Sequence, residues 1–184
     1  MTSIRPTGYT ATAIVLHWIA AALIVGNLAV GLYMVDLPLS PVKLRIYSWH
    51  KWAGVTVLLV SAARLLWRLR HPSPALPASL PAWERRAAMA SHHLLYVLFF
   101  AAPVAGWLYS SAAGFQTVYL GLLPIPDLLS KDRALADILK AVHLATTYAL
   151  GALAAVHAAA AIKHHVSDRD GLLSRMVPFL KPGR

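Results

Sequence analysis

The chain has 184 residues, of which 58% are hydrophobic and only 13% are charged, and this composition excludes an ordinary soluble globular domain. Its net charge of +10 would suggest nucleic-acid binding in a soluble protein, but the basic residues follow a membrane topology, so we expect no nucleic-acid partner. Cysteine is absent, which excludes disulfides, thiolate zinc sites, iron–sulfur clusters and covalently attached haem.

Four apolar segments predict four transmembrane helices in an all-α bundle. Each is long enough for a hydrocarbon core about 30 Å thick, and prolines interrupt the chain between them. The predicted spans cover residues about 11–34, 50–69, 90–112 and 139–163. Because the connections are short, we predict that residues 1–184 form a single domain embedded in the lipid bilayer.

Lysine and arginine are distributed unequally between the two sides of the predicted bundle. The N-terminus, the second loop and the C-terminal tail, with their helix ends, hold eleven of these residues, whereas the first and third loops hold six. Since positive residues are enriched on the cytoplasmic side of membrane proteins, both termini are predicted to be cytoplasmic.

The histidines of the predicted spans fall at two depths. His143 and His157 are 14 residues apart, which is nearly four helical turns, so they share one helix face about 21 Å apart. The topology places His17 at the inner level with His157, and His50 at the outer level with His143. Histidines inside a membrane are costly and usually functional, so two bis-histidine sites are predicted.

Haem is the group that best suits two histidines at each level. Two imidazoles from facing helices give six-coordinate iron suited to electron transfer, and a four-helix bundle has a core wide enough for the ring. Zinc and copper normally require three or four ligands in a tight cluster. We therefore predict two b-type haems, with His17 and His157 as ligands of the inner one and His50 and His143 as ligands of the outer one.

Three further residues near the inner level leave alternatives open. His92 or His93 could compete with His17 as an axial ligand, and His92 also suits a quinone headgroup, a haem propionate or simple packing. Arg64 lies 14 residues after His50, which places it on the same helix face near the inner level. It could pair with a haem propionate or a bound anion, or extend towards the interface.

The chain resembles the bacterial dihaem cytochrome b561 proteins over nearly its whole length, and in particular the standalone superoxide oxidase type. The first two spans contribute His17-Trp18, Trp49-His50 and the segment Arg64-Leu65-Leu66-Trp67-Arg68-Leu69 followed by Pro72. The remainder contributes His92, Tyr96, Phe99, Pro103, His143, the run from His157 to Ala161, His164-His165 and the tail from Leu172 to Pro178. His93 beside His92 departs from the family pattern and affects the quinone pocket, where both residues are candidates.

The resemblance implies an oxidoreductase of the bacterial inner membrane that passes electrons from periplasmic superoxide through two haems to ubiquinone. Lys43, Arg45 and Lys51 lie around His50, where they could attract the superoxide anion or could be ordinary interfacial cations. The alternative is an electron-relay membrane anchor of a periplasmic dehydrogenase or hydrogenase. The short loops offer little docking surface, so we predict no obligatory protein partner.

Overall fold

The computed structural model describes residues 8–180, most of which are helical. Four long helices, each long and apolar enough to cross a bilayer, confirm the predicted fold class. They are α1 (Ala11–Val35), α2 (Pro41–Arg70), α3 (Ala82–Ala112) and α4 (Arg133–Lys163). Two three-residue strands, β1 (Thr117–Tyr119) and β2 (Leu123–Ile125), form an antiparallel hairpin between α3 and α4 that the sequence analysis did not predict.

The helices α2, α3 and α4 begin about two turns before the predicted spans. The additional turns are polar and are stabilised by capping side chains instead of by apolar burial. Ser40 Oγ accepts a hydrogen bond from the Lys43 amide at the start of α2, and Asp132 Oδ1 accepts one from the Leu135 amide at the start of α4. Hydropathy locates the membrane-crossing part of such helices but not their polar ends.

The bundle consists of two helical hairpins. Helix α1 packs mainly against α2, and α3 packs mainly against α4. We call the end that carries the α1–α2 and α3–α4 connections the loop end, and the end that carries both termini the terminal end. The basic residues Arg5, Lys181 and Arg184 of the topology argument lie outside the described residues.

A small apolar cluster fills the middle of the bundle. It contains Ile24, Val57, Leu95, Leu98, Phe99, Ala102 and Leu150. Many other large apolar side chains are exposed, as expected where lipid tails take the place of a protein core. The cluster separates the predicted histidine levels.

The C-terminal segment folds back over the terminal end of the bundle. After α4, a π-helical turn (His164–Asp168) and a short 3₁₀ helix (Leu173–Arg175) lead to Val177, which is buried. The Trp18 indole N–H donates to the Met176 carbonyl, and the Arg175 guanidinium donates to the Ala75 carbonyl. These bonds attach the tail to α1 and to the loop between α2 and α3.

Candidate cofactor sites

At the loop end, the structure brings His50 of α2 and His143 of α4 together. Their ring centroids are 6.2 Å apart and the ring planes are inclined at 76°. Both side chains are half-buried inside the bundle. These are the two residues that the depth argument paired at the outer level.

The tautomer of His143 is fixed by a hydrogen bond to α3. Its Nδ1 lies 2.9 Å from the Ala102 carbonyl oxygen. Because a carbonyl only accepts, Nδ1 carries the proton, and the Nε2 of the neutral ring therefore presents a lone pair. A metal-binding histidine is typically oriented by such a bond on its other nitrogen.

Two glycines leave room for the loop-end rings. A Cβ atom added to Gly31 of α1 would lie 3.0 Å from His50 Cε1, and one added to Gly106 of α3 would lie 2.9 Å from His143 Cε1. Ordinary carbon contacts are about 3.5–4.0 Å. Each ring therefore rests against a helix backbone at a point where a larger residue would displace it.

A cavity of about 810 Å³ adjoins the loop-end pair, within the usual size range of cofactor pockets. His50, His143, Trp107 and Tyr109 are among the side chains that line it. Among the described lining residues there are lysines but no aspartate or glutamate. The cavity therefore favours a large, mainly apolar group with negative charge at its edge.

At the terminal end, three histidines meet. The ring centroids of His17 and His157 are 6.3 Å apart, and those of His92 and His157 are 5.2 Å apart. His17 Nδ1 is buried and has no hydrogen-bond partner within residues 8–180. A buried polar atom of this kind is destabilising unless a ligand satisfies it or rotates the ring.

The ring separations test whether a metal could lie between each pair. A coordinating nitrogen lies about 1.2 Å from its ring centroid, and a metal–imidazole bond is about 2.0 Å, so two trans ligands have centroids roughly 6.3 Å apart. The His50–His143 and His17–His157 separations match this value, at 6.2 and 6.3 Å. The His92–His157 separation of 5.2 Å is shorter. The residues present therefore fit haem, and the geometry favours His17 over His92 as the partner of His157.

Arg64 and Arg68 stack against one aromatic ring of α3 at the terminal end. Each guanidinium carbon lies 5.5 Å from the centroid of Tyr96, and that of Arg64 is also 5.9 Å from Phe99. No carboxylate of the described chain forms an ion pair with either arginine. Arg64 thus lies inside the bundle near the terminal-end histidines, where the sequence analysis expected it, and could bind an anionic group there.

His93 is not brought to the histidine cluster. Its side chain is exposed, and Nδ1 lies 2.8 Å from the Met89 carbonyl of its own helix. His92, one residue earlier, faces His157 instead. Of the two histidines proposed for a quinone pocket, only His92 is near the predicted inner site.

The three cations of the predicted superoxide funnel have different surroundings. The Lys43 ammonium donates to the Val35 and Leu37 carbonyls at the end of α1, and the Lys51 ammonium donates to the Phe115 carbonyl. Both lysines line the cavity, whereas Arg45 is exposed outside its lining. The two lysines therefore have a structural role that the sequence analysis missed.

The glycines were also missed, although the spacing argument already used would have found them. Gly31 lies 14 residues after His17, and Gly106 lies 14 residues after His92. Fourteen residues return a side chain to nearly the same helix face at the other histidine level. The same interval separates His143 from His157, so a residue facing one level predicts a residue facing the other.

Comparison with known proteins agrees with this architecture. The sequence profile of the prokaryotic cytochrome b561 family matches residues 8–179. The chain is 32% identical over 179 residues to "Cytochrome b561 homolog 2" of Escherichia coli (strain K12), an alignment that covers 94% of this chain and 92% of that protein. It is 29% identical over 174 residues to "Cytochrome b561 homolog 1" of the same organism, covering 94% and 98%.

A third relative carries a more specific name. The chain is 27% identical over 180 residues to "Probable superoxide oxidase CybB" of Yersinia pestis, covering 92% of this chain and 96% of that protein. The family implies binding of haem b and a role in electron transfer. The chain is a membrane protein that belongs to the prokaryotic cytochrome b561 family.

Proposed function

We propose that the chain is a dihaem membrane cytochrome b that transfers electrons from superoxide to ubiquinone. In this proposal His50 and His143 hold a haem at the loop end, and His17 and His157 hold a second one at the terminal end. The proposal depends most on the two ring separations of 6.2 and 6.3 Å, which are those of trans imidazoles on one metal.

Haem iron with two imidazole ligands supplies one-electron transfer without an open coordination position. The protein's contribution is to hold and orient the ligands. The hydrogen bond from His143 Nδ1 to the Ala102 carbonyl presents the other ring nitrogen to the cavity. Gly31 and Gly106 allow the helix backbones to approach the two loop-end rings closely.

The region between the two levels suits electron transfer and opposes ion movement. His143 and His157 are separated by 14 residues of α4, which is about 21 Å along the helix axis. The apolar cluster between them includes Phe99 and Leu150 and contains no charged residue. An ion would have to lose its hydration shell to cross this region.

Superoxide is the proposed donor because of the charge around the cavity and the name of one relative. Lys43 and Lys51 line the cavity, and a cationic entrance raises the encounter rate of a small anion. Each superoxide gives up one electron and leaves as dioxygen. Two such electrons and two protons convert one ubiquinone to ubiquinol.

Ubiquinone is proposed to react at the terminal end, near His92 and Arg64. In this orientation the termini lie in the cytoplasm, the loop end faces the periplasm, and the chain resides in the bacterial inner membrane. The half-buried His92, which lies beside His157 without the spacing of a trans ligand, is available for a hydrogen bond to the quinone headgroup.

The direct test uses the purified chain with no partner protein. Visible spectra and a haem assay should give two b-type haems per chain, and rapid mixing with superoxide should reduce them. Added ubiquinone should then reoxidise them and accumulate as ubiquinol. If superoxide reduces neither haem and reduction requires a dehydrogenase or hydrogenase subunit, the electron-relay function replaces this one.

A further inference from the structure

The hairpin between α3 and α4 has a tip that is unusually apolar for an exposed turn. Leu120, Leu122 and Leu123 are 55%, 85% and 58% exposed. Leu120 has φ of 54° and Gly121 has φ of 73°, so both adopt left-handed conformations. Asparagine or aspartate before glycine is the usual choice in such a turn, and leucine there is sterically disfavoured. The chain thus presents a leucine where a polar residue would fit better.

The hairpin is fixed against α2 by side-chain hydrogen bonds. The Trp52 indole N–H donates to the Val118 carbonyl at 2.6 Å, and Thr56 Oγ1 lies 2.9 Å from the Tyr119 hydroxyl. The Lys51 ammonium donates to the Phe115 carbonyl at the start of the segment. The position of the hairpin along α2 is therefore known.

That position is at the boundary of the bilayer. Lys51 is the last charged residue of α2 before the uncharged stretch that continues to Ala63. Thr56 lies five residues beyond Lys51, which is about 7.5 Å further into the membrane-crossing part of the helix. Tryptophans such as Trp52 are typical of the membrane–water interface. The hairpin is thus level with the interface and with the first turn of the apolar region.

The chemistry of the segment matches this position. No charged residue occurs from Ala113 to Pro126. The strands pair with each other, and α2 and α3 satisfy further carbonyls, since the Trp107 indole also donates to the Pro126 carbonyl. Pro124 and Pro126 carry no N–H, which leaves fewer donors unpaired at the edge of the hairpin. Few backbone groups therefore need water, as the membrane boundary requires.

We infer that the hairpin tip, Leu120–Leu123, inserts into the bilayer leaflet at the loop end and binds lipid acyl chains. The partner is lipid because the tip lies at bilayer level on a bundle with four membrane-crossing helices. Thr117 and Ile125 of the same hairpin line the loop-end cavity. Lipid contact at the tip therefore holds one wall of that cavity in place, whatever donor or cofactor the cavity accepts.

The absence of cysteine allows the inference to be tested with single labels. Leu122→Cys carries an environment-sensitive fluorophore in phosphatidylcholine vesicles. Leu59→Cys, on the exposed face in the middle of α2, is the lipid-facing control, and Ser130→Cys, after the hairpin, is the water-facing control. Leu123→Cys is a second probe of the tip if the first variant does not give a monodisperse, helical protein.

The quenchers are aqueous iodide and phospholipids that carry a nitroxide near the headgroup. The label at position 122 should be quenched strongly by the nitroxide lipid and several-fold less by iodide than the label at position 130. Iodide quenching equal to that at position 130, without lipid quenching, would place the tip in water and overturn the inference. Protection from both quenchers would show a protein contact, such as a second copy of the chain, and would overturn it equally.

Discussion

Replacing Gly106 by alanine should weaken cofactor binding at the loop end without touching a ligand. The new Cβ would lie 2.9 Å from His143 Cε1 and 3.1 Å from Nδ1. To reach an ordinary contact of about 3.5–4.0 Å, the ring must retreat by roughly 0.5–1 Å. Because Ala102 lies one turn before Gly106 on the same helix, this retreat also lengthens the 2.9 Å hydrogen bond to the Ala102 carbonyl beyond its effective range.

The size of the effect follows from the loss of that orienting bond. Disruption of a hydrogen bond behind a metal-binding histidine typically costs about 10–100-fold in affinity. We therefore expect the haem content of Gly106→Ala to fall from two towards one per chain after purification and dilution in detergent. The spectrum that remains should be that of the His17–His157 site.

Gly26→Ala provides the matched control. Gly26 is also a helical glycine, but an added Cβ meets nothing within 4 Å. Alanine there should keep both haems and should stabilise α1 slightly, since glycine costs about 0.5–1 kcal/mol inside a helix. If Gly106→Ala retains two haems with an unchanged spectrum, or loses only the haem of the terminal end, the assignment of this site is refuted.

Three further predictions concern the terminal-end ligand, the charged entrance and a buried hydroxyl. His17→Ala should remove the terminal-end haem, whereas His92→Ala should keep two haems and impair ubiquinone reduction; the opposite haem counts would exchange the two roles. Haem reduction by superoxide should slow as salt shortens the Debye length from about 10 Å at 0.1 M to about 3 Å at 1 M. At low salt it should slow more in Lys51→Gln than in Arg45→Gln, because Lys51 lines the cavity, and stopped-flow rates with a neutral reductant should change with neither variant nor salt. Ser61 is fully buried and its Oγ has no partner within residues 8–180, so Ser61→Ala should raise the free energy of unfolding by about 1 kcal/mol, and a lower melting temperature would show that a ligand satisfies this hydroxyl.

The parts of the architecture that were predictable depend on helical periodicity and apolar length. A run of about 20 apolar residues must cross the bilayer as a helix, because its backbone can be satisfied in no other open form. The interval between His143 and His157 then fixes one face of α4, and the order of the spans fixes which histidines share a depth. The structure brings together the same two pairs.

The remaining features depend on contacts that sequence periodicity does not contain. Whether His17 or His92 opposes His157 is a matter of about 1 Å in ring position, as the separations of 6.3 and 5.2 Å show. The hairpin was missed because its strands have only three residues each and include Pro124, which normally argues against a strand. The lysines were interpreted by charge alone, whereas their ammonium groups are bonded to nearby backbone carbonyls.

The division of the bundle into two helical hairpins has a consequence for its assembly. His17 and His50 belong to the α1–α2 half, and both of their partners belong to α4 in the other half. Each proposed haem therefore crosslinks the halves non-covalently, and its binding free energy adds to the free energy that holds them together. The only covalent connection between the halves is the segment from His71 to Pro81, which contains neither regular helix nor strand. Co-expressed fragments ending and beginning within this segment should consequently assemble in proportion to the haem supply and separate when haem is withheld.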